Sequence, residues 1–201
     1  NKLNKPFFGI NFGSIGFLMN NINNEDLNEV IANSKKSEFK PLKMSAFSLD
    51  NKKFEAYAYN EVSIMRQTHL ASKIKIKIND QIKMNELICD GVLLSTSAGS
   101  TAYNLSAHGS ILPLDSNILA LTPISAFRPR RWRGALLSEI SKIEFEVLDQ
   151  NERPSSVTAD NVEFRNIKKV NVISSNENKC KVLFDSKHSI EDKILNEQFN
   201  Y

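Results

Sequence analysis

The sequence predicts an α/β segment followed by a larger β-rich domain of sandwich type. Two observations predict it. A strand, a glycine turn and a helix come in that order near the start of the chain, and short strands at close spacing, without long helices, follow from about residue 39. Hydrophobic residues at 41% of 201 supply enough apolar material for a substantial core.

Phe7-Phe8-Gly9-Ile10-Asn11-Phe12 reads as a buried strand, and Gly13 and Gly16 bracket a tight turn before Phe17-Leu18-Met19. A helix is expected at about 25–34. Glu25 and Asp26 lie in its first turn, Leu27, Val30 and Ile31 form an apolar stripe, and Lys35 and Lys36 follow its end, an order that suits the helix dipole. Runs 39–48 and 54–65 read as strands around Asp50-Asn51. Lys73 to Ile78 alternates strictly, one face wet and one buried, and Asn79-Asp80 turns it into a second strand at 82–89. Further strands are expected at about 91–96, 117–122, 142–148, 155–160, 168–174 and 179–184. A last helix is expected, capped by Ser189, with Ile190, Ile194 and Leu195 on one face. The divisions are 1–36, the remainder of an α/β domain; 37–175, the β-rich domain; and 176–201, a last strand and helix. The chain starts at Asn1 and enters a strand almost at once, so it is expected to be a piece of something longer.

Charge and composition narrow the function. With 26 basic and 23 acidic residues the net charge is +3, which does not indicate nucleic-acid binding by bulk electrostatics. Apolar runs fall far short of the roughly 18–20 residues of a membrane helix, and the start does not read as a signal peptide. Cys89 and Cys180 lack metal or redox spacing, so a reduced, cytoplasmic protein is expected. Cys89 is expected to be a buried strand residue. The 3 histidines have no zinc spacing, and no metal site is assigned. Ser106 and His108 lack a nucleophile elbow, which argues against a serine hydrolase. Arg128, Arg130, Arg131 and Arg133 surround Trp132 in one basic loop, read as a phosphate contact, an oligomer contact or, least, an RNA contact.

Three segments stand out as candidate sites. Asp90 to Ser110 runs from a strand through Ser95-Thr96-Ser97-Ala98-Gly99-Ser100-Thr101 into a helix start. Small residues there let backbone N–H groups and a helix N-terminus approach an anion, and the hydroxyls suit ribose and phosphate oxygens. No Gly-Lys-Ser/Thr follows, so it is not a Walker loop; a serine-rich turn with an ordinary cap is the equal alternative. In Tyr59-Asn60-Glu61-Val62 a polar pair sits inside an apolar strand, either as a base-reading amide with a ribose-holding carboxylate or as a buried hydrogen-bond pair. Asn11 to Leu18 has two glycines three apart but lacks the third of a Rossmann fingerprint.

In order and spacing these segments resemble the NAD kinase family. Its N-x-G-x-x-G-F-L motif is matched by NFGSIGFL at Asn11–Leu18, its Asn-Glu pair by Asn60-Glu61, and its D-G-x-x-x-S-T-x-x-G-S-T-A-Y signature by Asp90–Tyr103. FRPRRWRGALL and LFDSKHSIEDKILNEQF are similar to short bacterial members. The resemblance implies a kinase that moves the γ-phosphoryl of ATP to the 2′-hydroxyl of the adenosine ribose of NAD, making NADP. It implies that Asn60 and Glu61 contact the adenosine side, and Asp90 the nicotinamide end, often across a subunit boundary. Ala98, Thr101, Ala102, Tyr103, Asn104, Leu105 and Ser106 would line the dinucleotide pocket. It further implies a Rossmann-like α/β first domain to which the last strand and helix, 176–201, return, ATP or polyphosphate as donor, Mg²⁺ arriving with ATP, and a homo-oligomer, dimer or tetramer. The departures are Ser97-Ala98, where members often read Pro-Thr, and Asn161, where many have glycine after the aspartate; Asp160-Asn161 is left unassigned. The family's Gly-Gly-Asp-Gly motif, whose aspartate is the proposed base, is absent from these 201 residues, so no catalytic residue is assigned. The alternative is a non-catalytic dinucleotide-binding or regulatory module.

Overall fold

A computed structural model describes residues 5–13, 16–21, 26–186, 192, 194, 195 and 199. In chain order the elements are α1 (Leu27–Ala32), β1 (Lys35–Phe39), β2 (Leu42–Ser48), β3 (Lys53–Ala58), β4 (Glu61–Arg66), β5 (Ser72–Ile78), β6 (Gln81–Cys89) and β7 (Gly91–Ser95). There follow α2 (Tyr103–Ser106), β8 (Ile118–Ile124), β9 (Ala135–Ser138), β10 (Ile143–Leu148), β11 (Ser155–Ala159), β12 (Val162–Phe164), β13 (Ile167–Ser174) and β14 (Cys180–Phe184).

The expected fold class is observed. One sheet has the order β3-β2-β13-β10-β5-β6, the other β12-β11-β4-β7-β8-β9, and β1 pairs β14 in a third, small sheet. Within both large sheets every pairing is antiparallel. Their facing sides bury Leu42, Met44, Ile64, Ile74, Ile76, Leu94, Leu121, Phe145, Val157 and Val170 in one core. The alternation of β5 works as its pattern predicts. Ile74 and Ile76 point inward, while Lys73, Lys75 and Lys77 reach Asp149, Glu146 and Glu144 across the outer face at 2.7, 3.1 and 2.8 Å.

Several sequence expectations are corrected. Residues 39–48 are not one strand, because Pro41, which has no N–H to donate, separates β1 from β2. The 54–65 run also divides, at Tyr59-Asn60, where the chain passes from the first large sheet to the second. Asn60-Glu61 thus lies at a corner between sheets, not in mid-strand. α1 is shorter than expected: the Asp26 side chain accepts the Asn28 N–H at 2.9 Å at its start, and the Ser34 hydroxyl donates to the Val30 carbonyl at 2.7 Å at its end. Of its apolar stripe only Val30 is buried; Leu27 and Ile31 are 40% and 37% exposed. The strands β9 and β12 escaped the sequence reading because they span only 4 and 3 residues.

Phe7–Phe12 is not a buried strand. It makes single bridges from Phe7 to Val182 and from Ile10 to Asn20, and Phe12 is 94% exposed. Asn20 ties it down. Its buried amide donates to the carbonyls of Gly9 (3.0 Å) and Leu183 (2.9 Å) and accepts the Asp185 N–H at 2.8 Å. A second apolar cluster joins Phe39, Ala98, Phe184 and Ile194, with Phe39 and Phe184 edge to face at 6.3 Å between ring centroids. Ile194 is helical and buried, as the expected last helix requires, whereas Leu195 is exposed; Ser189 and Ile190 lie outside the described residues. Among the described residues no helix is long and apolar enough to cross a membrane.

Candidate functional site

The corner between β3 and β4 is held from two directions. From below, one carboxylate oxygen of Asp160 accepts the Tyr59 N–H at 2.7 Å, and the other accepts the N–H groups of Asn60 and Glu61 at 3.0 and 3.3 Å. Asp160 follows β11 at a turn where its own φ is +49°, a left-handed conformation that Asp and Asn tolerate better than most residues. Its N–H returns the contact to the Glu61 carbonyl at 3.1 Å. From above, the Asn60 carbonyl accepts the Thr96 N–H at 2.9 Å and the Ser95 hydroxyl at 3.3 Å. The Thr96 hydroxyl donates to the Tyr59 carbonyl at 2.6 Å and accepts the Gly99 N–H at 3.1 Å.

With the backbone so engaged, the side chains of the pair stay available. The Asn60 amide makes no hydrogen bond to another described residue, and one buried oxygen of Glu61, Oε2, has no partner. Burial first, and the nearby charge of Asp160 second, push the Glu61 carboxyl up to about 7. Glu61 shares the outer face of β4 with Ser63 and Met65, opposite the core residues Val62 and Ile64.

The Ser97–Ser110 loop lies over that outer face. The Tyr103 hydroxyl reaches the Met65 sulfur at 3.6 Å, and the residue is 36% exposed. Desolvation, then the charges of Glu61 and Asp90, raise its phenol above the ordinary range, which places all three in one neighbourhood. Asp90, at the β6–β7 junction, accepts from the Arg66 guanidinium at 2.6 Å and keeps a side chain 37% exposed. Cys89 beside it is buried, and desolvation carries its thiol up to about 12, so it is inert as a nucleophile.

The structure separates the remaining candidates by role. Asn104 is fully buried; its amide donates to the carbonyls of Ser100 (3.0 Å) and Ser110 (2.9 Å) and accepts the Thr122 hydroxyl at 2.7 Å. Ala98 packs into the cluster of Phe39, Phe184 and Ile194. The hydroxyls expected to meet ribose and phosphate mostly bond their own chain. Ser95 donates to the Thr96 carbonyl, Ser97 to that of Leu114 and Ser100 to that of Ser97, at 3.0, 2.9 and 2.8 Å. Thr101 and Ser106 are the hydroxyls of the 95–106 segment with no such bond to described residues. The expected anion-binding helix is a single turn, α2, without a side-chain cap, so it brings no useful dipole. Leu105 is half-buried and Ser106 exposed. A cleft of about 90 Å³ beside the loop, with Lys40 and Glu139 paired at 2.6 Å, is lined by Ser97 and Ala98 but by none of Asn60, Glu61, Asp90 or Tyr103.

Sequence reasoning leaves Asp160 unassigned, names Thr96 only as one of the loop hydroxyls, and misses Arg66 as a part of this arrangement. Asp160-Asn161 after a strand signals a turn, but nothing local signals that its carboxylate serves a segment a hundred residues earlier. Among the described residues there is no group of three or more His, Cys, Asp or Glu that could hold a metal ion.

Comparison with known proteins completes the picture. Residues 59–183 match the family described as ATP-NAD kinase C-terminal domain. The chain is 51% identical over 197 residues to the NAD kinase of Rickettsia bellii, covering 98% of this chain and 77% of the relative. It is 48% identical over 195 residues to that of Caulobacter vibrioides, covering 97% and 75%. By fold it is similar to a yeast NADH kinase complexed with NADH (TM-score 0.79, 22% identity), covering 94% of this chain and 56% of that one. An NAD kinase from Archaeoglobus fulgidus in complex with ATP superposes with a TM-score of 0.76 at 22% identity, covering 96% and 73%. The family match across the site segments and the extent of the Rickettsia match lead to one conclusion: the chain belongs to the NAD kinase family.

Proposed function

We propose that this chain carries the dinucleotide-binding part of an NAD kinase, which transfers the γ-phosphoryl of ATP to the 2′-hydroxyl of the adenosine ribose of NAD. The observation that carries the reading is the buried, unpartnered Glu61 oxygen beside the free amide of Asn60, under the exposed ring of Tyr103. A vicinal diol donating to Glu61 would satisfy that oxygen and favour the ionised carboxylate, and an amide next to it would read an adenine edge. In this reading Ala98 and residues 101–106 shape the pocket, Asn104 from behind through its hydrogen bonds to the loop. Asp90, oriented by Arg66, would meet the nicotinamide end from across a subunit boundary in a cytoplasmic homo-oligomer. Residues 1–36, 37–175 and 176–201 would be the remainder of an α/β domain, the dinucleotide-binding domain and a returning segment.

The names of the relatives support NAD as acceptor, and the ATP complex of the archaeal relative supports ATP as donor. Mg²⁺ enters this proposal only as the ion that accompanies ATP, and no step is assigned to it. Phosphoryl transfer rests on positioning and charge stabilisation. Because Gly-Gly-Asp-Gly does not occur among the 201 residues, the reading gives this chain recognition of the acceptor and assigns no base to it.

The test is NADP formation from NAD and Mg-ATP by this chain and by a version extended upstream, alongside NAD binding by calorimetry. NAD binding in both, with activity in the extended form, is the expected result. Binding without activity in either would favour the non-catalytic module. Absence of NAD binding in both would overturn the reading.

A further inference from the structure

We propose that Asp160 is a positioning residue for dinucleotide recognition, holding the backbone of the Asn60–Glu61 corner through three successive N–H groups. The proposal rests on the reading of Asn60 and Glu61 as the pair that meets the dinucleotide, and it goes beyond that reading in naming what sets their conformation.

The geometry is unusually concentrated. One carboxylate takes three successive backbone N–H groups, those of residues 59, 60 and 61, at 2.7, 3.0 and 3.3 Å. No cation pairs with Asp160 among the described residues, so these amides are what stabilise its charge. The corner is where β3 leaves one sheet and β4 enters the other, so no β-ladder partner fixes residue 60 there. Its N–H goes to Asp160 and its carbonyl to Thr96, which leaves both side chains of the pair unoccupied. A purely structural cap would need no such outcome.

Charge acts at the same corner. The groups with a charge interaction with Glu61 are Asp160 from the β11–β12 turn and Tyr103 from α2, and Tyr103 in turn feels Asp90 from the β6–β7 junction. The Arg66 guanidinium, in this neighbourhood, is committed to Asp90. Asp160 is therefore the charge that acts on Glu61 directly, and after burial it is the second cause that raises the Glu61 carboxyl. Removing the charge while keeping the shape should let Glu61 ionise at lower pH.

The experiment compares the wild-type chain with D160N. Asparagine matches aspartate in size and tolerates the left-handed turn, but it presents a donor where the Tyr59 N–H needs an acceptor. Two quantities are read: NAD affinity by calorimetry between pH 5.5 and 8.5, and the titration midpoint of the Glu61 side-chain carboxyl by carbon NMR, assigned with E61Q. The expected result is an NAD affinity lower on the order of tenfold together with a Glu61 midpoint displaced toward acid. A folded D160N with an unmoved midpoint, or with unchanged affinity, overturns the proposal. D160G, which accepts the turn and lacks the carboxylate, is the second variant should D160N fail to fold; collapse of both would mark Asp160 as structural and overturn it equally. If the wild type does not bind NAD, the dinucleotide reading fails, and the midpoint in D160N still decides the coupling.

Discussion

Gly99 lies against the peptide of Asn60 so closely that a Cβ on it would stand 2.3 Å from the Asn60 carbonyl oxygen and 2.5 Å from its Cα. The obstruction is backbone, which cannot swing away as a flexible side chain would. The signature loop and the corner are in effect one assembly, joined further by the Thr96 N–H. G99A should therefore push the two apart, lowering stability by about 1–3 kcal/mol, the usual scale of overpacking, and weakening NAD binding more than that loss of folding explains. Denaturant midpoints and calorimetric NAD titrations check it; an affinity unchanged in a folded G99A would separate the loop from the site.

Glu61 gives a stability prediction that needs no ligand. Its carboxyl sits at about 7 in the folded protein, raised first by burial and then by Asp160, against 4.5 for the free group. Between those values the folded state binds more protons than the unfolded chain, so the stabilisation is full below about 4.5 and is lost as pH rises through about 7. E61Q removes the titration. At pH 8 it should be more stable than wild type by roughly 1–2 kcal/mol, discounted for the water that still reaches the carboxylate, and the gap should close toward pH 4.5. The same variant should lose about 1–3 kcal/mol of NAD affinity. Urea midpoints across that range supply the check, and parallel pH profiles for the two proteins would contradict it.

On the outer face of the β5–β10–β13 region the opposite sign is expected. Glu144 is opposed by burial, but hydrogen bonds from Lys169 and Lys77 outweigh it and hold its carboxyl below the ordinary range. The pairs are short, 2.6 and 2.8 Å, yet all three side chains remain 21–40% exposed. E144Q should cost about 0.5–1 kcal/mol near neutral pH, less in 1 M salt, and the difference should shrink as pH falls through the lowered carboxyl. Melting at two salt concentrations distinguishes this from a packing defect, which salt would leave in place.

What the sequence made legible follows from the range of the interaction involved. The alternating β5, the hairpin into β6 and the strands β7, β8, β10, β11, β13 and β14 depend on side-chain period and on neighbours a few residues away, and the sequence shows them in place. Asn60-Glu61 was recognised by residue type but placed in mid-strand, because the pattern of apolar residues on either side runs on unbroken while the chain changes sheet. The clamp beneath it comes from Asp160, and the anchoring of the first residues comes from Asn20, whose amide reaches Leu183. Such long-range polar contacts leave no periodicity to find. The serine-rich loop misled in a different way. Hydroxyls that look available in sequence are mostly the ones that tie the loop to itself, as Ser97 and Ser100 do.

Asn104 brings the loop and the sheet together and offers the most direct test of whether the pocket depends on that support. Its side chain is fully buried and makes three hydrogen bonds, donating to Ser100 and Ser110 and accepting from Thr122. It is packed against Gly109 so tightly that a Cβ there would come within 2.0 Å of its Oδ1. N104A would leave two carbonyls and one hydroxyl without partners in a dry site and open a cavity, at a cost of about 3 kcal/mol or more. N104D is the sharper variant, since it keeps the volume but turns an acceptor toward two carbonyls and buries a charge without a counter-ion. It should be the more damaging of the two, the reverse of what shape alone predicts. Because the loop carries Tyr103 across the face that holds Glu61, amide exchange in residues 97–110 should accelerate in N104A before the sandwich core loses protection. Slow exchange in that loop, with NAD affinity intact, would show that the loop is held by contacts other than the Asn104 amide.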